Sequence, residues 1–511
     1  MTSRLLPGAS ATGAGTLVSR VLGMLRDMAT AWLLGLSGGV MDAFAVAFRG
    51  PELFRRLFTE GALAAGYLPA IAAEIDRDQP AAWRLASTTL AAVAIALGAA
   101  VVLVELLLAA AAWAWGDRPD VFLTLGLAAV MAPYAVLVTL AAFQTATLHA
   151  LGRFALPAFV PVVLNVAWLA AAWLAAPRFA DQEARAYVLA VAVLVAGVIQ
   201  SVVQWPLLRR LGFRPTIAFR AERGRLVRMA ALLLPTVCGL AVTQINTLAD
   251  SLLAWMLTDR GTGLSLQPGA AAAVYFAERI LDFPVGLVGV AVATAVFPLL
   301  SRHAAQGNRE GLRNDLALGL ETVLTLGVPA SAGMALLAEP IARLLFEHGE
   351  FGPGDTARAA EMIVGFSGGV WAYCAVPVVV RGFYALGDHF PPVAAGVAAI
   401  AANALVGLAV ASQIGESGLA VGTSVAAVLQ LIVLTVFLGR RHAATDWRRL
   451  AVATVRAAVA TAAMSAAVGA ARLLLEGRSA GRLAAVAVPM AAALAVYFAA
   501  HRLLGGRFRP A

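Results

Sequence analysis

The stretch VSRVLGMLRDMATAWLLGL (residues 18–36) is apolar enough to enter a bilayer, yet it carries Arg20, Arg26 and Asp27. On a helix, Ser19, Arg20, Gly23, Arg26, Asp27 and Thr30 fit an arc of about 120°. Val21, Leu22, Met24, Leu25, Met28 and Trp32 cover the rest. A centrally placed Arg or Asp costs about 2.5–3.5 kcal/mol on insertion scales, against about −0.5 kcal/mol for each Leu. The stripe must therefore face protein or water, and this helix must be one of several.

Composition agrees. The 511 residues are 61% hydrophobic and 13% charged, with mean hydropathy +0.83. A soluble domain is about half apolar and one-quarter charged. The chain is therefore integral to a membrane, with no room for a soluble catalytic domain. The formal charge is +9, and arginine supplies all the basic residues. They punctuate apolar runs, so they read as topology signals and not as a nucleic-acid site. Cys238 and Cys374 lie in apolar segments and offer neither a disulfide framework nor metal spacing. No cleavable signal peptide is expected, since Arg20 and Arg26 interrupt the first apolar run.

Apolar length and breakers predict an all-α polytopic fold of about fourteen helices. They fall near 10–36, 41–74, 84–115, 120–150, 155–176, 185–211, 226–258, 268–301, 312–338, 355–386, 391–413, 417–440, 450–474 and 481–505. The loops 209–228, 301–313 and 439–449 and the tail 507–510 are rich in Arg. The alternate loops, such as LGLSGG (34–39) and QIGESG (413–418), are not. The Arg-rich set is expected in the cytoplasm, with both termini. ALGRFALP (150–157) and ALGDHFPP (385–392) share Ala-Leu-Gly and a proline five residues after the glycine. They fall between helices four and five and between ten and eleven. That predicts a parallel duplication: six-helix lobes at 1–215 and 216–445, and two additional helices at 446–511.

Three further stripes follow. In DAFAVAFRGPELFRRLFTEG (42–61), Asp42, Arg49, Arg56 and Glu60 fall within about 40° of one another on a helix. Glu52 and Arg55 flank them, and Gly50-Pro51 is expected to interrupt the hydrogen-bond ladder, as where a membrane helix bends around a cavity. In YFAERILDFP (275–284), Tyr275, Glu278, Arg279 and Asp282 share one arc, and Pro284 is expected to break the helix. Thr243, Asn246 and Asp250 recur at helical spacing in the seventh helix. Arg20 with Asp27, or Arg279 with Asp282, could serve as buried pairs that fix register. Taken together, the set points to function, because intramembrane charge is a functional hypothesis by default. Arginine stays charged and grips phosphate bidentately, so a phosphate-bearing anionic amphiphile suits such a cavity.

SRVLGMLRD (19–27), DAFAVAF (42–48), LFRRLFTEGALAAGYLP (53–69), ERILDFPVGLVGVAV (278–292) and RGFYALGDHFPP (381–392) resemble the MurJ (MviN) family of bacterial lipid II flippases. The family belongs to the multidrug/oligosaccharidyl-lipid/polysaccharide exporter superfamily, and the resemblance covers nearly the whole chain. It implies two pseudo-symmetric lobes, with the last two helices lining a lipid groove. It implies transport of lipid II, with no catalysis, across the bacterial inner membrane. Membrane lipids and cell-wall synthesis proteins are the other expected partners. The substrate-binding arginines it implies are Arg20, Arg26, Arg55 and Arg279. Asp27, Asp42, Arg49, Glu60, Glu278 and Asp282 complete the charged cavity and its gates. Asp250 matches an acidic position linked to sodium in some members, with Asn246 beside it. Helix eleven offers only Asn403 where a second acid is expected. No cofactor is expected; a Na+ or H+ gradient or the membrane potential would reset the carrier.

Three rivals are weighed at this level, of which a non-transporting scaffold would not explain buried charge. An exporter of the same superfamily could carry another lipid-linked glycan or a drug, although arginines disfavour cationic drugs. An enzyme acting on polyprenyl phosphates would need clustered carboxylates or a nucleophile with its base. The acids here alternate with arginines on separate helices.

Overall fold

The computed structural model describes residues 2–58, 63, 66–115, 117–258, 266–442, 445–475 and 481–506. Ten helices among them are long and apolar enough to cross a membrane. The bent pair Pro353–Ser367 and Val370–Ala385 makes an eleventh. Helices Thr2–Leu34, Val40–Leu57 and Phe219–Met256 bring the count to the fourteen predicted. The first two of these carry the charged stripes.

The chain divides into two compact units, Met1–Trp255 and Met256–Ala511. Helix Phe219–Met256, which the helix count assigns to the second lobe, falls in the first unit. The last two helices fall in the second. In the first unit, Thr2–Leu34 packs along Ala155–Ala170. A Cβ at Gly15 would collide with the Ala158 carbonyl, so bare backbone lets the two helices meet. A second core region gathers Tyr67, Trp83, Phe143 and Phe213, with the Tyr67 hydroxyl 2.7 Å from Thr147 Oγ1. In the second unit, Arg309–Leu336 packs against Val370–Ala385 and Trp447–Leu475. There Met464, Val468 and Tyr497 form a core, and the Tyr497 hydroxyl donates to the Thr325 carbonyl.

The two Ala-Leu-Gly segments of the expected repeat end their helices alike, with a cap that also recurs at Gly212, Gly307 and Gly505. Gly152 and Gly387 have φ of 69° and 72°. The Arg153 N–H donates to the Leu148 carbonyl at 2.8 Å, and the Asp388 N–H to the Phe383 carbonyl at 3.0 Å. Both are left-handed glycine caps that close a helix at the same place in each segment.

Helix Val40–Leu57 stays helical through Gly50-Pro51, where the proline interrupts the hydrogen-bond ladder by one bond. Three local expectations are corrected. The segment expected as one helix over 41–74 ends at Leu57, and a separate helix spans Tyr67–Arg77. Helix Ala270–Pro284 does not stop at Pro284 but passes through a π-helical stretch, Val285–Val290, into Ala291–Ala305. The wider π turn absorbs the proline ring that an α turn would exclude. A short helix, Ala338–Leu345, occupies a segment expected as loop.

Candidate functional site

The polar stripe of the first helix faces protein. Arg26 is buried, and its Nε and a terminal nitrogen donate to Asp27 Oδ1 at 3.0 and 2.8 Å. The other terminal nitrogen reaches Asn165 Oδ1 at 3.4 Å. Asn165 in turn donates to the Ser19 carbonyl at 3.0 Å, tying helix Ala155–Ala170 to the stripe. The guanidinium lies over the Trp168 ring, 4.9 Å from its centroid. Trp168 is fixed by its Nε1–H donating to Thr30 Oγ1 at 3.0 Å, and Thr30 donates to the Arg26 carbonyl at 2.8 Å. Phe44 and Phe48 meet the indole edge-on, at 5.3 and 5.1 Å between centroids. An ion pair, an amide and a π face together offset the cost of a cation at this depth. Arg20 is exposed and stands outside this hydrogen-bonded group.

The second helix concentrates charge further. Asp42 is buried in its first turn, where the positive end of the helix favours a carboxylate. Glu52 is shared by three arginines at helical spacing. Arg55 and Arg56 reach its Oε1 at 3.4 and 3.2 Å, and Arg49 reaches Oε2 at 3.9 Å. Arg49 also donates to Ser251 Oγ at 2.8 Å. Arg49, Glu52 and Arg56 border a small cavity with Gln244 and Thr247 of helix Phe219–Met256. The side chains of Arg55 and Arg56 are 28% and 18% exposed, against 5% for Glu52. The two can therefore reach an incoming anion, whereas Arg49 is enclosed. The buried Tyr134 phenol lies within electrostatic range of Arg55, Arg26 and Glu52, so the two clusters flank it. Glu60 lies outside the described residues.

In the second unit Glu278 is buried, and Arg279 lies with its guanidinium 4.6 Å from the centroid of the Tyr275 ring. Arg279 also pairs with Asp282 at 3.6 Å, and the Asp282 side chain is 45% exposed. Of the candidate cation ligands, Asn246 donates to Asp250 Oδ2 at 3.5 Å in the first unit. Asn403, in the second, is buried and accepts from Thr423 Oγ1 at 3.1 Å. The Thr243 side chain lies outside the described residues. Among the described residues no three His, Cys, Asp or Glu side chains come together as a metal site.

Glu52 and Arg56 were visible as parts of the helix-two stripe but were not singled out as site residues. Asn165, Trp168 and Ser251 carry no motif. Their role arises from contacts more than one hundred residues apart in sequence, and an Asn or Trp on an apolar helix reads first as packing.

Residues 31–483 match the lipid II flippase MurJ family. A probable lipid II flippase MurJ of Rhizobium meliloti is 33% identical over 97% of this chain and 93% of its own length. The chain belongs to the lipid II flippase MurJ family. The probable lipid II flippase MurJ of Vibrio cholerae is 32% identical over 85% of this chain and 83% of its own. Among solved structures, a lipid II flippase MurJ in an inward closed conformation superposes with a TM-score of 0.75 at 18% identity. The match covers 96% of this chain and 98% of that one. An inward-facing MATE family multidrug resistance transporter of the MOP superfamily gives 0.68 at 16% identity, over 83% and 95%. At these identities the structural likenesses speak to the fold alone.

Proposed function

We propose that this chain moves lipid II from the cytoplasmic to the outer leaflet of the bacterial inner membrane by alternating access, with both termini in the cytoplasm. One observation carries the site assignment: in a membrane-embedded helix, three guanidiniums gather at the carboxylate of Glu52, and the side chains of two of them are partly exposed. Such a cluster of arginines suits a polyanion, and a pyrophosphate offers oxygens enough for two forks. Arg55 and Arg56 take the pyrophosphate. Arg279, within the second unit, is a further substrate-binding arginine that the family resemblance implies. Arg26, already engaged by Asp27 and Trp168, positions the first helix. Asp42, Glu278 and Asp282 exchange partners as the substrate enters and leaves. The carrier resets through the membrane potential acting on these charges, or through a cation taken at Asp250 and Asn246.

The test is flipping of lipid II in vesicles reconstituted with matched amounts of each variant. Arg55→Lys and Arg56→Lys keep the charge and lose the fork, so each should lower the rate at least tenfold. Arg223→Lys, in the loop 209–228, should leave the rate unchanged. Normal rates in both helix-two variants would remove the bidentate phosphate site.

A further inference from the structure

A cavity of about 1110 Å³ lies in the second unit, remote in sequence from every arginine discussed so far. Its wall is apolar and includes Leu336, Val364, Val421, Val425 and Val428. Its charged lining residues are Glu339, Glu361 and Arg472. The sequence places all three at one level. Glu339 follows the end of helix Arg309–Leu336, Glu361 is the last charge before the apolar run 362–380, and Arg472 is in the last turn of Trp447–Leu475. That level is the end opposite the Arg-rich loops 301–313 and 439–449. The cavity thus has charge at a membrane-interface mouth and hydrocarbon below it. Of the two C-terminal helices expected to line a lipid groove, only Trp447–Leu475 reaches this cavity, through Arg472 alone.

The mouth has a specific chemistry. One terminal nitrogen of Arg472 donates to the Leu336 carbonyl at 2.7 Å and caps that helix. The rest of its fork has no partner among the described residues. Glu339 is engaged by Arg343 at 2.6 Å. Glu361 is exposed and has no ion pair among the described residues. One available cation and one available carboxylate above an apolar wall are complementary to a head group bearing a phosphate and a primary ammonium. A head group with phosphate alone would meet Glu361 with like charge. A quaternary ammonium has no N–H to donate to it.

We propose that this cavity is a binding site for a zwitterionic, primary-amine phospholipid of the phosphatidylethanolamine class. Arg472 takes the phosphate, Glu361 takes the ammonium, and an acyl chain lies along Val421, Val425 and Val428. The inference depends on membrane residence and not on the identity of the transported substrate.

The test uses the full chain, reconstituted in bilayers containing equal parts phosphatidylethanolamine, phosphatidylglycerol and phosphatidylcholine. The protein is then extracted mildly and its retained lipid measured by native mass spectrometry. Phosphatidylethanolamine should be retained at least tenfold over the other two. Glu361→Gln, which changes an exposed side chain and no packing, should abolish that preference, as should Arg472→Gln. Val425→Trp, which fills the cavity, should remove the lipid altogether. Equal retention of the three lipids, or a preference that survives both Glu361→Gln and Val425→Trp, would overturn the site. So would displacement of the bound lipid by added lipid II, which would assign the cavity to the substrate.

Discussion

Arg26 illustrates what a buried cation demands of its surroundings. Its guanidinium meets Asp27, Asn165 and the Trp168 face, and each contact comes from a different part of the chain or a different chemistry. Removing one member of a buried pair costs more than the pair contributes, because the survivor keeps its desolvation penalty. Asp27→Asn should therefore destabilise the protein by about 3–5 kcal/mol. The double change Arg26→Met with Asp27→Leu should recover most of that loss, and thermal unfolding of all three proteins in one detergent measures the difference. Additive losses would mean that the two side chains do not interact. The sequence offered Arg20, on the same helical face, as the partner of Asp27; the structure instead pairs Asp27 with its neighbour Arg26 and leaves Arg20 exposed. Nor did the sequence make Asn165 or Trp168 legible, because their contact with Arg26 depends on how helix Ala155–Ala170 lies against the first helix. The same limit explains Arg55 and Arg56. Helical spacing puts both near Glu52, but only packing against neighbouring helices decides which arginine stays accessible and which, like Arg49, is enclosed.

Helices Phe390–Ile414 and Ser417–His442 form a tight hairpin whose backbones approach through glycine. A Cβ placed on Gly422 would lie 2.5 Å from Gly407 Cα and 2.9 Å from the Asn403 carbonyl oxygen. Both neighbours are backbone and cannot swing aside. A Cβ on Gly407 would meet nothing closer than Leu419, at 3.6 Å, an ordinary contact. Gly422→Ala should thus cost about 1–3 kcal/mol by overpacking, while Gly407→Ala should be close to neutral or slightly stabilising. Melting temperatures of the two variants test the asymmetry, and equal losses would show that the hairpin has slack. Displacement here would also disturb Asn403, whose side chain accepts from Thr423 across the same interface. Helix positions were the most legible feature of the sequence, because an apolar run of bilayer length admits few other readings. The prolines were less so. Pro51 and Pro284 both interrupt the ladder, yet one stays within an α-helix and the other leads into a π-helical stretch. Sequence marks where a backbone bond is lost; the surrounding turns decide how the loss is absorbed.

At the scale of the whole chain, the paired caps at Gly152 and Gly387 and the charge asymmetry of the loops bear on one topology. The loops poor in arginine carry their own structure. Glu347, between the short helix Ala338–Leu345 and Pro353–Ser367, accepts from Thr356 at 2.8 Å and pairs with Arg343 and Arg482 at 3.2 and 3.1 Å. Burial raises its carboxyl pKa, but the Thr356 hydrogen bond and the two arginines more than offset this and hold it below its ordinary value. A depressed carboxylate pKa contributes stability that is present above the ordinary value of about 4.3 and lost as pH falls through the folded-state value. The melting-temperature gap between the protein and Glu347→Gln should accordingly be constant from pH 7 to about pH 5 and close in stronger acid; a gap independent of pH would exclude the clasp. The same loop decides the orientation. Arginine is retained on the cytoplasmic side during insertion, so residues 209–228 are expected inside. Helix Arg309–Leu336 begins beside the Arg-rich loop 301–313, so one crossing carries its end, and Glu347 beyond it, to the opposite face. Glu350 and Arg223 are both exposed and should fall on opposite sides. With an impermeant thiol reagent on cells whose outer membrane has been opened, Glu350→Cys should label at once. Arg223→Cys should label only after the inner membrane is permeabilised. The parent chain, whose Cys374 is buried, gives the baseline. The reverse pattern would place the arginine-rich loops outside, and lipid II would then have to enter the carrier from the wrong leaflet.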